Sequence, residues 1–322
     1  MKSFYVVLVP VLFAAGAHAD VLSQTQSLLG SSSPEFDPSS LQSEVSLENP
    51  AYAPFSSADS DIGVQQVLGE YKGLPPVSVT FDLSFNYTDN APGEFPNLTE
   101  ESWFLASRLA AVWRPRLAFG WFADVGLSQD LYRFEGKNAA DFENFEPFIG
   151  FVKSIPELDD LIFYTRYEYQ RITGGSLSDS NYSAQRVRTG FQKELLLAPR
   201  YQLSAGINAA WDIEANPDSQ ERNSYTADLS YTYWLADALS ATLSWSGSIW
   251  DFDAPSDPIA PNSQSREDWS QLVGLELTWT PHRNVVVYTN IFYTNLNSNA
   301  PNGQNDFESW QTGIGMGLNL TF

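Results

Sequence analysis

From Val77 the chain alternates without a break: Val77, Val79, Phe81, Leu83, Phe85 and Tyr87 are apolar, while Ser78, Thr80, Asp82, Ser84 and Asn86 between them are polar. Period two is the period of a strand, because successive side chains point to opposite faces. The stretch therefore predicts a strand with one face against an apolar medium and the other against a polar one. The alternation recurs in Leu203, Ala205, Ile207, Ala209 and Trp211, and again in Leu239, Ala241, Leu243 and Trp245. It closes the chain, where Trp310, Thr312, Ile314, Met316, Leu318, Leu320 and Phe322 share one face.

Twelve such segments are predicted, over 77–88, 102–113, 116–132, 143–154, 161–172, 182–194, 200–213, 223–234, 238–251, 267–280, 284–295 and 308–322. Short turns fall at 114–116, 156–160, 195–199, 235–237 and 281–283, and longer polar loops at 89–101, 133–142, 173–181, 214–222, 252–266 and 296–307. An even strand number with turns at one end and loops at the other is the pattern of an all-β, transmembrane, antiparallel up-and-down barrel. Its short turns and both termini face the periplasm, and its longer loops face outward. A soluble sandwich also alternates, but these segments far exceed its usual five or six residues. The aromatics add a spacing that a sandwich does not need. Trp103 and Trp113 lie ten positions apart on one face, as do Tyr201 and Trp211, and Trp269 and Trp279. Ten residues at about 3.3 Å, tilted near 40°, cover roughly 25 Å, the height of the apolar band between two interfacial aromatic girdles.

The segments before Val77 differ in kind. Met1–Ala19 reads as a secretory signal peptide: Lys2, an apolar stretch over Tyr5–Gly16, and Ala17-His18-Ala19 before Asp20. Residues 20–76 form a polar, acidic leader, rich in Ser and Pro, whose composition favours disorder apart from a short helix over Val64–Tyr71. Residues 77–322 carry the barrel. The net charge of −22 argues against a nucleic-acid partner, which would need clustered basic residues. The absence of cysteine excludes disulfides, thiolate metal sites and a cysteine nucleophile.

With its signal sequence, its alternating segments and the ending Gly317-Leu318-Asn319-Leu320-Thr321-Phe322, the chain resembles the Gram-negative outer-membrane β-barrel proteins, a porin-like class. The resemblance implies outer-membrane localisation amid lipid and lipopolysaccharide. It also implies that the barrel assembly machinery recognises the last strand through Leu318, Leu320 and Phe322. It points to no one porin or enzyme family. Phospholipases, proteases and lipid A-modifying enzymes occur among such barrels, and most use histidine near neutral pH. Once His18 is cleaved away only His282 remains, in an expected periplasmic turn. An enzyme is therefore not expected.

With the apolar face outward, the lumen receives Asp82, Asp124, Asp130, Glu146, Glu168, Asp212, Asp228 and Glu276, together with Arg108, Arg116, Arg166, Arg186 and Arg188. Arginines concentrate on the second to sixth segments; Asp212, Asp228 and Glu276 come later, among many Ser, Thr and Gly. Two readings follow: opposed charged walls that set a transverse field across a pore, or charges that pair and fill the barrel. The outer loops hold Glu101, Asp141, Asp218, Glu221, Asp253, Asp257, Glu267, Asp268, Asp306 and Glu308 against few bases, among them Arg133, Arg222 and Arg266. Such loops are either solvated and mutually repulsive or hold divalent cations at the lipopolysaccharide surface. No cofactor and no dedicated metal site are implied. The expected function is passive diffusion of small hydrophilic solutes, with a non-conducting anchor, adhesion or envelope scaffold as the alternative.

Overall fold

A computed structural model describes residues 77–90, 101–118, 121–136, 141–155, 158, 161–174, 180–198, 200–255, 265–282, 284–299 and 306–322. The expected signal peptide, leader and short helix lie outside these residues. Twelve strands follow in order: β1 (Val77–Thr88), β2 (Ser102–Trp113), β3 (Trp121–Phe134), β4 (Phe142–Ile155), β5 (Leu161–Gly174), β6 (Ser180–Ala198), β7 (Tyr201–Asn216), β8 (Arg222–Ala236), β9 (Leu239–Pro255), β10 (Ser265–His282), β11 (Val285–Ser298) and β12 (Phe307–Thr321). Each pairs antiparallel with its chain neighbours, and β1 pairs with β12, so the sheet closes on itself. Closure removes the unpaired edge that a membrane would not tolerate.

The predicted strands and the observed ones coincide most closely where one face is apolar. They differ at their ends. β9 runs four residues further toward the loop end than the alternation suggests, β10 two residues further at each end, and β6 two at its loop end and four, Leu195–Ala198, at its turn end. At these ends the strict alternation of apolar and polar residues lapses while the pairing continues. β3 starts later than expected, at Trp121. Pro115 brings no N–H to a ladder, and the chain folds back, with Leu117 N donating to Trp121 O at 2.7 Å and Ala123 N to Pro115 O at 3.0 Å.

The outer face is apolar over the middle of every strand; Ile149, Ile207 and Ile314 each leave more than half of their surface exposed (56, 59 and 59%). No soluble protein of this size presents such a continuous apolar surface, whereas a membrane-spanning barrel requires one. Trp103, Trp211 and Trp269 stand outward near the loop end, and Trp113, Tyr201 and Trp279 near the turn end. Neighbouring rings extend both rows: Phe85 stacks on Trp103 at 5.0 Å, Tyr293 meets Trp310 at 4.9 Å, and Tyr201 stacks on Tyr233 at 5.0 Å.

Candidate functional site: the barrel lumen

The inner face of β2–β6 is closely packed, and most of its charges are matched locally. Asp124 is fully buried and takes Arg114 Nε on Oδ1 at 2.8 Å and Arg166 Nε on Oδ2 at 2.6 Å. Arg166 reaches it across β4, where Gly150 leaves room. Next along the strands, Arg108 sits opposite Asp130, 3.6 Å away, and Asn144 Nδ2 donates to Asp130 Oδ2 at 3.0 Å. Arg108 also faces Asp82, which accepts the Tyr288 hydroxyl at 2.7 Å. The register sets Arg166 opposite Arg188 and Glu168 opposite Arg186. The ion pair that forms is the diagonal one, Arg188 Nε to Glu168 at 3.0 and 3.1 Å, with Nη1 3.3 Å from Asn208 Oδ1.

Asp212 does not confront this wall from across the barrel; it joins it. Arg186 Nε lies 3.1 Å from Asp212 Oδ1, and Arg186 Nη2 donates to the Tyr182 hydroxyl at 3.0 Å. Arg186 and Asp212 face each other directly in the regular β6–β7 ladder, in the register of Val187 with Trp211; the bulge follows them, where Gln185 pairs with Glu214, so Ile213 is the extra residue and Ala215 turns inward. The arginines of β2–β6 thus pair in place, and opposed charged walls do not form from them. Arg116 is exposed and takes part only in an isolated bridge with Phe122; the inward arginine of that turn is Arg114.

Arg222, Arg266 and Asp268, expected in solvated loops, are buried and point inward at the starts of β8 and β10. Each shares parity with the polar residues that follow it, Ser224 and Asp228 in one strand and Ser270 in the other, so one more step of period two would have found them. Arg222 lies 4.4 Å from the Trp250 ring and 5.5 Å from that of Phe252. Arg266 lies 4.2 Å from Phe252 and grips Asp268 at two points, Nε to Oδ1 at 3.0 Å. Trp250, Phe252 and Leu296 form one apolar cluster near the loop end. Phe104, Phe134, Phe142, Ile172 and Tyr182 anchor a second.

The opposite half is different. Gln192, Ser204, Gly206, Asp228, Ser230, Ser244 and Ser246, with Leu272, border a small space of about 30 Å³ on the β6–β9 side. Asp228 is paired with Ser246 across the β8–β9 ladder and hydrogen-bonds to it. Glu276 accepts the Thr278 hydroxyl at 2.6 Å. β12 adds Gly313, Gly315 and Gly317 to the inner face.

At the loop end Glu221 has its carboxyl raised above the ordinary range, first by desolvation and then by crowding from Asp253, Asp212, Asp218 and Glu214. Asp306 accepts the Ser298 N–H at 2.6 Å; Asp257, expected among the outer-loop acids, lies outside the described residues. Among the described residues no group of three or more His, Cys, Asp or Glu is placed to hold a metal ion. His282 ends β10 at the turn side, exposed, its Nδ1 accepting Asn284 N–H at 3.3 Å. Leu318, Leu320 and Phe322 all face outward, and Phe322 N–H bonds Val77 O at 2.9 Å beside the β1–β12 seam.

No family model matches the sequence, and no curated protein matches it. Among solved structures, the chain is similar to an outer-membrane channel from Pseudomonas putida F1 at 12% identity and TM-score 0.46, covering 78% of this chain and 98% of that one. It is similar to the KdgM porin in complex with disordered oligogalacturonate at 8% identity and TM-score 0.39, covering 74% and 98%. It is likewise similar to outer membrane phospholipase A from Escherichia coli at 17% identity and TM-score 0.44, covering 76% and 91%.

Proposed function

We propose that the protein is a channel of the bacterial outer membrane through which small hydrophilic solutes diffuse passively. The observation that carries this reading is the contrast across the barrel wall: an apolar belt outside, and a serine- and glycine-lined space beside β6–β9 inside. A water-filled polar path with an apolar exterior is what solute diffusion across a bilayer requires. The reading carries its partners with it: lipid and lipopolysaccharide around the belt, divalent cations between the acidic rim and lipopolysaccharide phosphates, and the assembly machinery at Leu318, Leu320 and Phe322. We read the chain as a non-enzyme, because His282 is exposed at the turn end, where its Nδ1 accepts the Asn284 N–H and, among the described residues, no lumen serine is hydrogen-bonded to it.

One observation favours the second reading, a non-conducting barrel that serves as anchor or scaffold. The β2–β6 half is filled with ion pairs and aromatic clusters. Single-channel recording of the purified chain in a planar bilayer decides between them. Stable conductance steps are expected; silence from protein whose folding is verified by heat-modifiable gel mobility would favour the scaffold.

A further inference from the structure

On the wall formed by β3, β4 and β5, the carboxylates Asp124, Asp130 and Glu168 each have a guanidinium within 4 Å. Glu146 has none. It is 2% exposed, and its Oε1 has no hydrogen-bond partner. The charged groups that act on it are Glu168, Arg188, Arg186 and Asp130, and all four are engaged elsewhere: Arg188 with Glu168, Arg186 with Asp212, Asp130 with Arg108. A buried carboxylate with no compensating charge is costly.

Its neighbours share the deficit in one chemical sense. Ser128 is opposite Glu146 on β3, and the β4–β5 register, with Phe145 beside Arg171 and Phe148 beside Glu168, sets Gln170 next to it on β5. Asn144 is two residues back on the same face of β4. Ser128 Oγ, Gln170 Oε1 and Asn144 Oδ1 are all buried and, like Glu146 Oε1, make no hydrogen bond. Four buried oxygens thus sit at neighbouring positions of three adjacent strands with no hydrogen-bond partner among the described residues, and only Ser128 Oγ carries a proton of its own. A proton on Glu146 would join it to a single neighbour; a cation ligated by oxygen can engage all four.

We propose that Glu146, Ser128, Gln170 and Asn144 form a site for one hard monovalent cation in the lumen wall. Hard cations prefer carboxylate, amide carbonyl and hydroxyl oxygen, and one uncompensated carboxylate balances a single positive charge. The site lies outside the serine-lined space, and its occupancy does not depend on whether the barrel conducts.

The test is thermal unfolding of the full chain in detergent at constant ionic strength, with NaCl exchanged for choline chloride. Na⁺ is expected to raise the midpoint saturably, by about 3–5 °C at tenfold excess over Kd. Glu146→Gln, which keeps the shape and removes the charge, should abolish the Na⁺ dependence, while Glu276→Gln elsewhere in the lumen should preserve it. Gln170→Leu leaves the carboxylate in place and should weaken the Na⁺ dependence, giving a second handle if the Glu146 variant does not fold. Equal midpoints in Na⁺ and choline, or a Na⁺ shift that survives in Glu146→Gln, would overturn the site. So would a midpoint that ignores Na⁺ but rises on acidification only when Glu146 is present, since that assigns the position to a proton.

Discussion

The two halves of the lumen obey the same alternation and use it for opposite ends. Along β2–β6 the inward positions are filled by Arg, Asp, Glu, Phe, Tyr and Ile, bound to one another by short ion pairs and ring contacts. Along β7–β9 they are mainly Ser, Thr, Gly and Ala, and space remains. The outer surfaces of the two halves are equivalent, because the bilayer sets the same condition all round. Period two therefore fixes which face is inside, while residue size and charge on that face decide whether the inside is packed or open. One half is a load of matched charges; the other is a gap bounded by short polar side chains.

The sharpest way to break this comparison is Asp124→Ala. It leaves Arg114 and Arg166 buried together without their shared carboxylate, a loss that typically costs about 3–5 kcal/mol. Ser244→Ala, in the open half, should stay within about 0.5 kcal/mol. Urea titration of both variants in lipid vesicles measures the difference, and comparable losses would mean that the halves do not differ in packing.

Gly150→Ala comes next. A Cβ there would overlap the carbonyl oxygen of Thr165 and come within 2.8 Å of Arg166 Cα, so backbone has to move. The expected loss is about 1–3 kcal/mol, with Arg166 displaced from Asp124. At Gly315 the atoms in the way are the ring end of Tyr288, which can swing toward the lumen. Gly315→Ala should cost clearly less in the same titration.

The closed barrel was legible because it is written in hydropathy, repeated on every strand. The lumen was legible only in part, because parity says inward or outward and nothing about partners. Arg166, Arg188 and Glu168 could be set side by side from the register alone. Asp212 has the right parity, but alternation alone does not say that it pairs with Arg186; and the bulge at Ile213, which turns Ala215 inward, leaves no mark in a composition pattern. Arg222 and Arg266 were misread as loop residues because the apolar signal fades where the strands leave the membrane, although their parity was right. Arg114 continues the inward parity of Arg108, Ala110 and Val112 one step past the strand, but it sits beside Pro115 in the stretch read as a turn.

Arg222 tests whether every inward charge of the loop end is structural. Its guanidinium rests on Trp250 and Phe252, and among the described residues no carboxylate is ion-paired with it. Replacing it with Met keeps the volume and removes a buried charge, so stability should change by no more than about 1 kcal/mol, and a gain is as consistent as a small loss. Arg166→Met, which strips Asp124 of one of its two partners, should lose more. Equal losses would show that Arg222 is held by something stronger than the two rings.

The smallest expected effect on stability, and the most direct on function, belongs to Ser230→Trp. Ser230 is half-buried and borders the serine-lined space with Ser204 and Ser246, so a large ring there points into the lumen. Folding should be unchanged by heat-modifiable mobility. If solutes and ions cross beside β6–β9, single-channel conductance should fall by roughly half or more, because a pore's current is set by its narrowest polar section. The matching substitution in the packed half, Ala110→Trp on β2, should instead impair folding, since Ala110 is buried. Full conductance in a folded Ser230→Trp barrel would place the path somewhere other than the serine-lined side, and the contrast between the two halves would then describe packing alone.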